Sequence, residues 1–191
     1  QSEVAPDGGR AILFAPADDS GFVSVLDLED GTLETFNVRK GTLGAVIGPE
    51  SSTAVLIHDK APGEPVAGEP EPDIIAKSFA FTAFDLERGL TKLVRVDAAP
   101  SRVAFDGDGD NAFVLVSDRA RNALAVEWVR LDTFDVQTFE FDREPEYVGV
   151  IPETDLVYVS QLHELGRIAF IDIATEEVRE VTGYELNGWI E

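Results

Sequence analysis

A chain of 191 residues that is 44 % apolar can bury a genuine core, and its length corresponds to one domain or at most two. Asp and Glu number 37 against 15 Lys and Arg, and the net charge of −22 repels phosphate backbones and anionic headgroups, which argues against nucleic acid and bare membrane as partners. The lack of cysteine excludes disulfides and thiolate metal sites, and no apolar run is long enough to cross a bilayer.

The chain opens on QSEVAPDGG, with neither a charged n-region nor an apolar h-region, and is expected to be a mature or trimmed soluble piece. An extracytoplasmic location (periplasmic, cell-surface or secreted) is expected. At most two or three residues of a strand precede the APDGG turn, after which RAILFAP (10–16) and the pair FVSVLDLEDGTLETFNV (22–38) read as strands. LGAVIGP (43–49) and TAVLIHD (53–59) follow as two more. The stretch 59–76, rich in Pro, Gly and Glu, forms no regular strand and reads as an inserted surface loop. Beyond it come FAFTAFDLERGLTKLVRV (79–96), SRVAFDG (101–107), NAFVLVSD (111–118) and LAVEWVRLDTFDVQTFEF (124–141). The last strands are YVGVIP (147–152), LVYVSQ (156–161), RIAFIDIATEEVREV (167–181) and the terminal YELNGWIE (184–191). No stretch shows sustained helical periodicity.

Four of these segments repeat one pattern, an apolar run that reaches a charged position, a polar turn and an alternating strand. The charged positions are Asp27, Asp85, Arg130 and Asp172, at steps of 58, 45 and 42 residues, the first step lengthened by the insert. Four short antiparallel strands in every 40-odd residues is the signature of a β-propeller blade. A β-sandwich also has many short strands, but nothing in it requires a fixed-period echo. Apolar runs such as RIAFIDI call for cover on both faces, and Phe84, Phe105, Trp128, Tyr147 and Phe170 are expected to pack blade against blade. The runs SGFVSVLDLEDGTLETFNV and GRIAFIDIATEEVREVTG, with a P-D-G or similar turn opening each unit, resemble the YVTN and WD-repeat-like bacterial propellers, although no Trp-Asp dipeptide is present.

The expected fold is therefore all-β, a propeller domain over 1–191 with about four four-stranded antiparallel blades (units near 1–41, 42–98, 99–143 and 144–183). The segment 184–191 supplies a strand that completes the first blade. Two versions stay open, a closed ring of four and the C-terminal part of a larger ring whose other blades, or other chains, would be partners.

Alternating carboxylates in FDGDGDNAF (Asp106, Asp108, Asp110) have the spacing of a Ca²⁺ loop. The twelfth position of such a loop falls on Ser117, and the equivalent stretches APDGGRA, GPESSTA and IPETDLV are hairpin turns, so the turn is the favoured reading and calcium the second. Loops after the second strand of each unit, expected at the channel mouth, carry Asp18, Asp19, His58, Asp59, Asp118, Arg119, Gln161, His163 and Glu164. His and Asp there could bind a small ligand or divalent metal, or hold a base near neutral pH. No G-x-S-x-G, HExxH or phosphate-cradling loop occurs, and no catalytic residue is nominated. The first functional reading is a non-catalytic binding or scaffold propeller for a protein or small ligand. The alternatives are a metal-dependent lactonase- or lyase-like enzyme and a calcium-dependent structural or adhesive module.

Overall fold

The computed structural model describes residues 1–16 and 21–183. They form four separate four-stranded antiparallel sheets, each a meander of sequential strands. Sheet 1 holds β1 (Ser2–Val4), β2 (Arg10–Leu13), β3 (Phe22–Asp27) and β4 (Leu33–Asn37). Sheet 2 holds β5 (Thr42–Ile47), β6 (Thr53–His58), β7 (Phe79–Asp85) and β8 (Leu90–Val96). Sheet 3 is β9 (Pro100–Phe105), β10 (Asn111–Asp118), β11 (Ala123–Arg130) and β12 (Asp135–Glu140), and sheet 4 is β13 (Pro145–Val150), β14 (Leu156–Gln161), β15 (Arg167–Asp172) and β16 (Val178–Thr182). These are the four blades of an all-β, propeller-like array.

The repeated aspartate has a local cause. Asp27 Oδ1 accepts from the Glu29 and Asp30 amides, Asp85 Oδ1 from the Arg88 amide, and Asp172 Oδ1 from the Ala174 and Thr175 amides. Each closes the turn between third and fourth strands by an Asx-type bond. Arg130 stands at the aligned position without that role. Its guanidinium lies 4.2 Å over the Trp128 ring and bonds Glu176 of the next sheet at 2.7 Å.

Three cores glue the sheets in sequence. Ile12, Val23 and Val25 of sheet 1 pack with Ile47, Leu56 and Phe84 of sheet 2. Val55, Phe81 and Ala83 on the other face of sheet 2 pack with Ala112, Val114 and Val129 of sheet 3. Phe113, Leu115 and Trp128 on the far face of sheet 3 meet Val148, Val157, Val159 and Ile171 of sheet 4. Successive side chains of a strand point to opposite faces, so a stretch buried on both must be apolar throughout, as residues 112–116 of β10 are.

The two or three strand residues expected before the APDGG turn are β1, which gives sheet 1 four strands; the segment 184–191, expected to complete this blade, lies outside the described residues. Two other expectations need correction. RIAFIDI is not covered twice among the described residues: Ala169 and Ile171 are buried, whereas Ile168 and Phe170 on the opposite face are half-buried. Phe84, Phe105 and Trp128 pack between sheets; Tyr147 is 43 % exposed, stacks on Tyr158 of its own sheet with centroids 5.8 Å apart, and meets sheet 3 through the Arg102 guanidinium, 4.8 Å from its ring centroid.

The insert also departs from expectation, because its second half is a helix, α1 (Glu71–Lys77). Pro72 fits the first turn, where a missing N–H goes unnoticed, while Glu71 and Asp73 at the start and Lys77 at the end complement the helix dipole. Buried Lys40 donates to the Ile75 and Ala76 carbonyls at 2.9 and 2.7 Å, capping the C-terminal end. Seven residues with one buried apolar anchor, Ile75, are too few to display a helical period.

Candidate functional site: a basic cleft on the loop edge

Antiparallel meanders send alternate connections to opposite edges of the sheets. The segments 38–41, 59–78, 97–99, 119–122, 141–144 and 162–166 share one edge. Near it, the first strands of sheets 2, 3 and 4 each carry a register shift. Such bulges re-aim strand ends. Ion pairs link the loops sideways: Arg39 to Glu71 at 2.8 Å, and Arg121 to Glu64 at 2.9 Å.

Between the insert and the ends of sheets 2 and 3 lies a cleft of about 330 Å³ lined by Lys60, Glu64, Lys77, Phe79, Arg95 and Arg121, among others. Its floor is aromatic. Lys60 Nζ and the Arg121 guanidinium lie 4.9 and 5.2 Å from the centroid of the Phe79 ring, within cation–π range. Glu64 Oε1 accepts from Lys60 Nζ at 2.7 Å and from Arg121 Nη2 at 2.9 Å. Those two bonds hold the Glu64 carboxyl down to about 2. Lys77 pairs with Glu69 at 2.5 Å. Arg95 makes no hydrogen bond or ion pair among the described residues. Four cations thus face two lining carboxylates, Glu64 and Asp97, in a chain of net charge −22.

The sequence candidates are dispersed along this edge. Asp18 and Asp19 lie outside the described residues. His58 is 2 % exposed, its Nδ1 3.0 Å from the Gly41 carbonyl and Nε2 2.6 Å from Thr82 Oγ1. Burial first, and Lys40 nearby, lower its pKa to about 4, so it is a neutral structural histidine at pH 7. Asp59 is exposed and accepts from the Lys60 amide. Asp118 caps the turn Arg119–Arg121 through the Ala120 and Arg121 amides. Gln161 is buried, donating to Glu180.

Arg119, His163 and Glu164 do come together, with Arg143, around a second depression between sheets 3 and 4. The Leu165 amide donates to His163 Nδ1 at 3.1 Å, which places the ring proton of the neutral form on Nε2.

In FDGDGDNAF the hairpin geometry is explicit. The Asp106 amide donates to the Asn111 carbonyl, and the Asp106 carboxylate accepts from Asn111 Nδ2 at 2.6 Å and from the Asn111 amide. Burial and then the charges of Asp106, Asp108 and Asp132 raise the Asp110 pKa. Among the described residues no three His, Asp or Glu side chains are grouped to hold a metal ion.

The cleft residues Lys60, Lys77, Phe79, Arg95 and Arg121 were not sequence candidates. A signal existed. The chain has four lysines, and Lys60 and Lys77 bracket the insert while Lys40 anchors its helix.

No family model and no curated protein matches the chain. Solved structures do match. "Kuenenia stuttgartiensis Hydrazine Synthase" superposes with a TM-score of 0.58 at 17 % identity, over 94 % of this chain and 48 % of that one. "Structure of U3-55K" gives 0.55 at 11 %, over 96 % and 51 %, and "Crystal structure of RRP9 WD40 repeats" gives 0.55 at 10 %, over 95 % and 50 %. The chain spans about half the length of these structures. At such identities the likeness concerns the fold alone, and that fold is the WD40-like, propeller-type array of four-stranded blades.

Proposed function

We propose that this chain is a non-catalytic binding module that holds a protein partner on the loop edge of its blades, with the insert as the main recognition element. The carrying observation is the pinned insert and the cleft it makes. Lys40 caps its helix, the Ala61 amide bonds the Ala76 carbonyl at 2.8 Å, and Lys77 closes on Glu69, so the loop-edge segment 59–78 stands as a shaped wall. Ordering a Pro- and Gly-rich excursion in this way lowers the entropy lost when it engages a partner. The WD40-like neighbours support a scaffold role by fold analogy.

The test compares proteins captured by the immobilised chain with those captured after residues 61–76 are replaced by a short Asn-Gly turn. Circular dichroism and a thermal melt verify that the blades persist. Capture is expected to require the insert and to survive Asp172→Asn at the opposite edge. An unchanged partner set on the insert-deleted chain would overturn the reading.

A further inference from the structure

We propose that the cleft between the insert and sheets 2 and 3 is a seat for carboxylate side chains of an acidic peptide segment, with Glu64 occupying it as a tethered stand-in. This rests on the loop-edge reading above and names the chemistry of its partner.

Glu64 shows what the seat accepts. One carboxylate oxygen draws Lys60 Nζ and Arg121 Nη2 together over the Phe79 ring. The Lys60 side chain is only 11 % exposed, whereas that of Glu64 is 64 % exposed. The cation is therefore built into the wall and the anion sits in its mouth. Glu64 directly follows the bend at Pro62 and Gly63, and Gly63 has φ +103°, a conformation that glycine adopts freely.

The insert does not depend on that carboxylate. Its anchors are Lys40 on the helix end, Arg39 on Glu71, Lys77 on Glu69 and the Ala61–Ala76 backbone bond. Glu64 can therefore give way to an incoming carboxylate while the wall stays in place. Arg95, unpartnered among the described residues, lines the same cleft and supplies a second contact that Glu64 does not use. Two carboxylates a few residues apart on one peptide satisfy both. The surrounding charge of −22 repels such a peptide at long range, but at 0.15 M salt this field decays over about 8 Å and the cleft decides the close contact.

The experiment titrates the whole chain with a hexaglutamate peptide by calorimetry at 0.15 M salt. Wild type is expected to bind, Glu64→Gln to bind roughly three- to tenfold tighter because the competitor is gone, and Arg95→Ala to bind roughly tenfold more weakly. Arg95→Ala leaves the Glu64 bonds untouched, and Arg179→Ala on sheet 4 serves as the unchanged control. Equal or weaker binding by Glu64→Gln, no effect of Arg95→Ala, or saturation by inorganic phosphate with no heat from the peptide would each overturn the proposal. If hexaglutamate fails while insert-dependent capture of partners persists, this inference falls and the loop-edge reading stands; loss of both sinks both.

Discussion

Sheets 2 and 3 are packed on both faces, whereas sheets 1 and 4 are packed on one among the described residues, although all four are built from similarly apolar strands. In β10 the two alternating sets Ala112/Val114 and Phe113/Leu115 are both buried, the first against sheet 2 and the second against sheet 4. In β15 only Ala169 and Ile171 are, and Ile168 pairs with Val181, which is 49 % exposed. On sheet 1, Leu26 pairs with Leu33, 56 % exposed, on the face turned away from sheet 2. An apolar strand thus states that it can be covered on two sides, not that it is. The energetic consequence is steep, since a fully buried large apolar side chain contributes roughly 1.5–3 kcal/mol more than an exposed one.

The largest contrast is expected at Trp128. Its ring stacks between Phe113 and Phe139 at 5.9 and 6.2 Å, and Nε1 donates to Asn111 Oδ1 at 2.7 Å. Trp128→Ala leaves a cavity between sheets 3 and 4 and strands that acceptor, and should lower stability by about 3–5 kcal/mol in urea titrations. A loss under about 1 kcal/mol would mean that the doubly covered sheets are no more tightly built than the outer ones.

His58 tests the same central region by pH. Its folded pKa, about 4, lies below the ordinary 6.5, so between those values the unfolded chain binds a proton that the folded chain refuses. Stability tied to this histidine is complete above pH 6.5 and falls as pH drops toward 4, by up to about 3 kcal/mol. Thr82 and Gly41 hold the neutral ring from both sides. The stability difference between wild type and His58→Gln should therefore stay nearly level above pH 6.5 and shrink steadily from there to pH 4.5. A difference independent of pH would show that the ring is as well solvated in the fold as in the unfolded chain.

Much of this architecture was legible because its causes are local. Asp27, Asp85 and Asp172 repeat because a four-residue turn needs an acceptor there, and the strands repeat because each sheet is a sequential meander. What stayed hidden depends on contacts across the chain. Nothing local distinguishes RIAFID from NAFVLVSD, yet their neighbours differ. The helix Glu71–Lys77 owes its end to Lys40, some thirty-five residues away. Likewise His58 sits in a position expected at the channel mouth, but the Gly41 carbonyl and Thr82 draw it into the interior. The cleft escaped notice because Lys60, Phe79, Arg95 and Arg121 belong to four separate segments, each unremarkable alone.

Two glycines sharpen the comparison further. A Cβ on Gly48 would lie 2.7 Å from Thr53 Oγ1 and 3.3 Å from Phe105 Cδ1. Thr53 Oγ1 donates to the Gly109 carbonyl at 2.8 Å, tying sheet 2 to the first turn of sheet 3, so neither neighbour can retreat freely. Gly48→Ala should cost about 1–3 kcal/mol. A Cβ on Gly149 would meet the Tyr158 ring at 2.7 Å, an equally close approach, but that ring lies on the half-covered face of sheet 4 and can swing outward. Gly149→Ala should cost less, and equal losses in parallel urea titrations would contradict the difference in cover.

The smallest effects belong to the outward faces themselves. Leu33 and Val181 are 56 % and 49 % exposed, on the faces of sheets 1 and 4 turned away from their packed neighbours. In the isolated chain, Leu33→Ser and Val181→Ser remove contacts that are half made, and each should shift stability by no more than about 0.5 kcal/mol. The same substitution at Val114, fully buried between sheets 2 and 3, leaves an unpaired hydroxyl in an apolar core and should cost several-fold more. A large loss at Leu33 or Val181, measured by thermal melts at two protein concentrations, would reveal that the face is covered in solution. If that loss also vanished on dilution, the cover would be another copy of the chain.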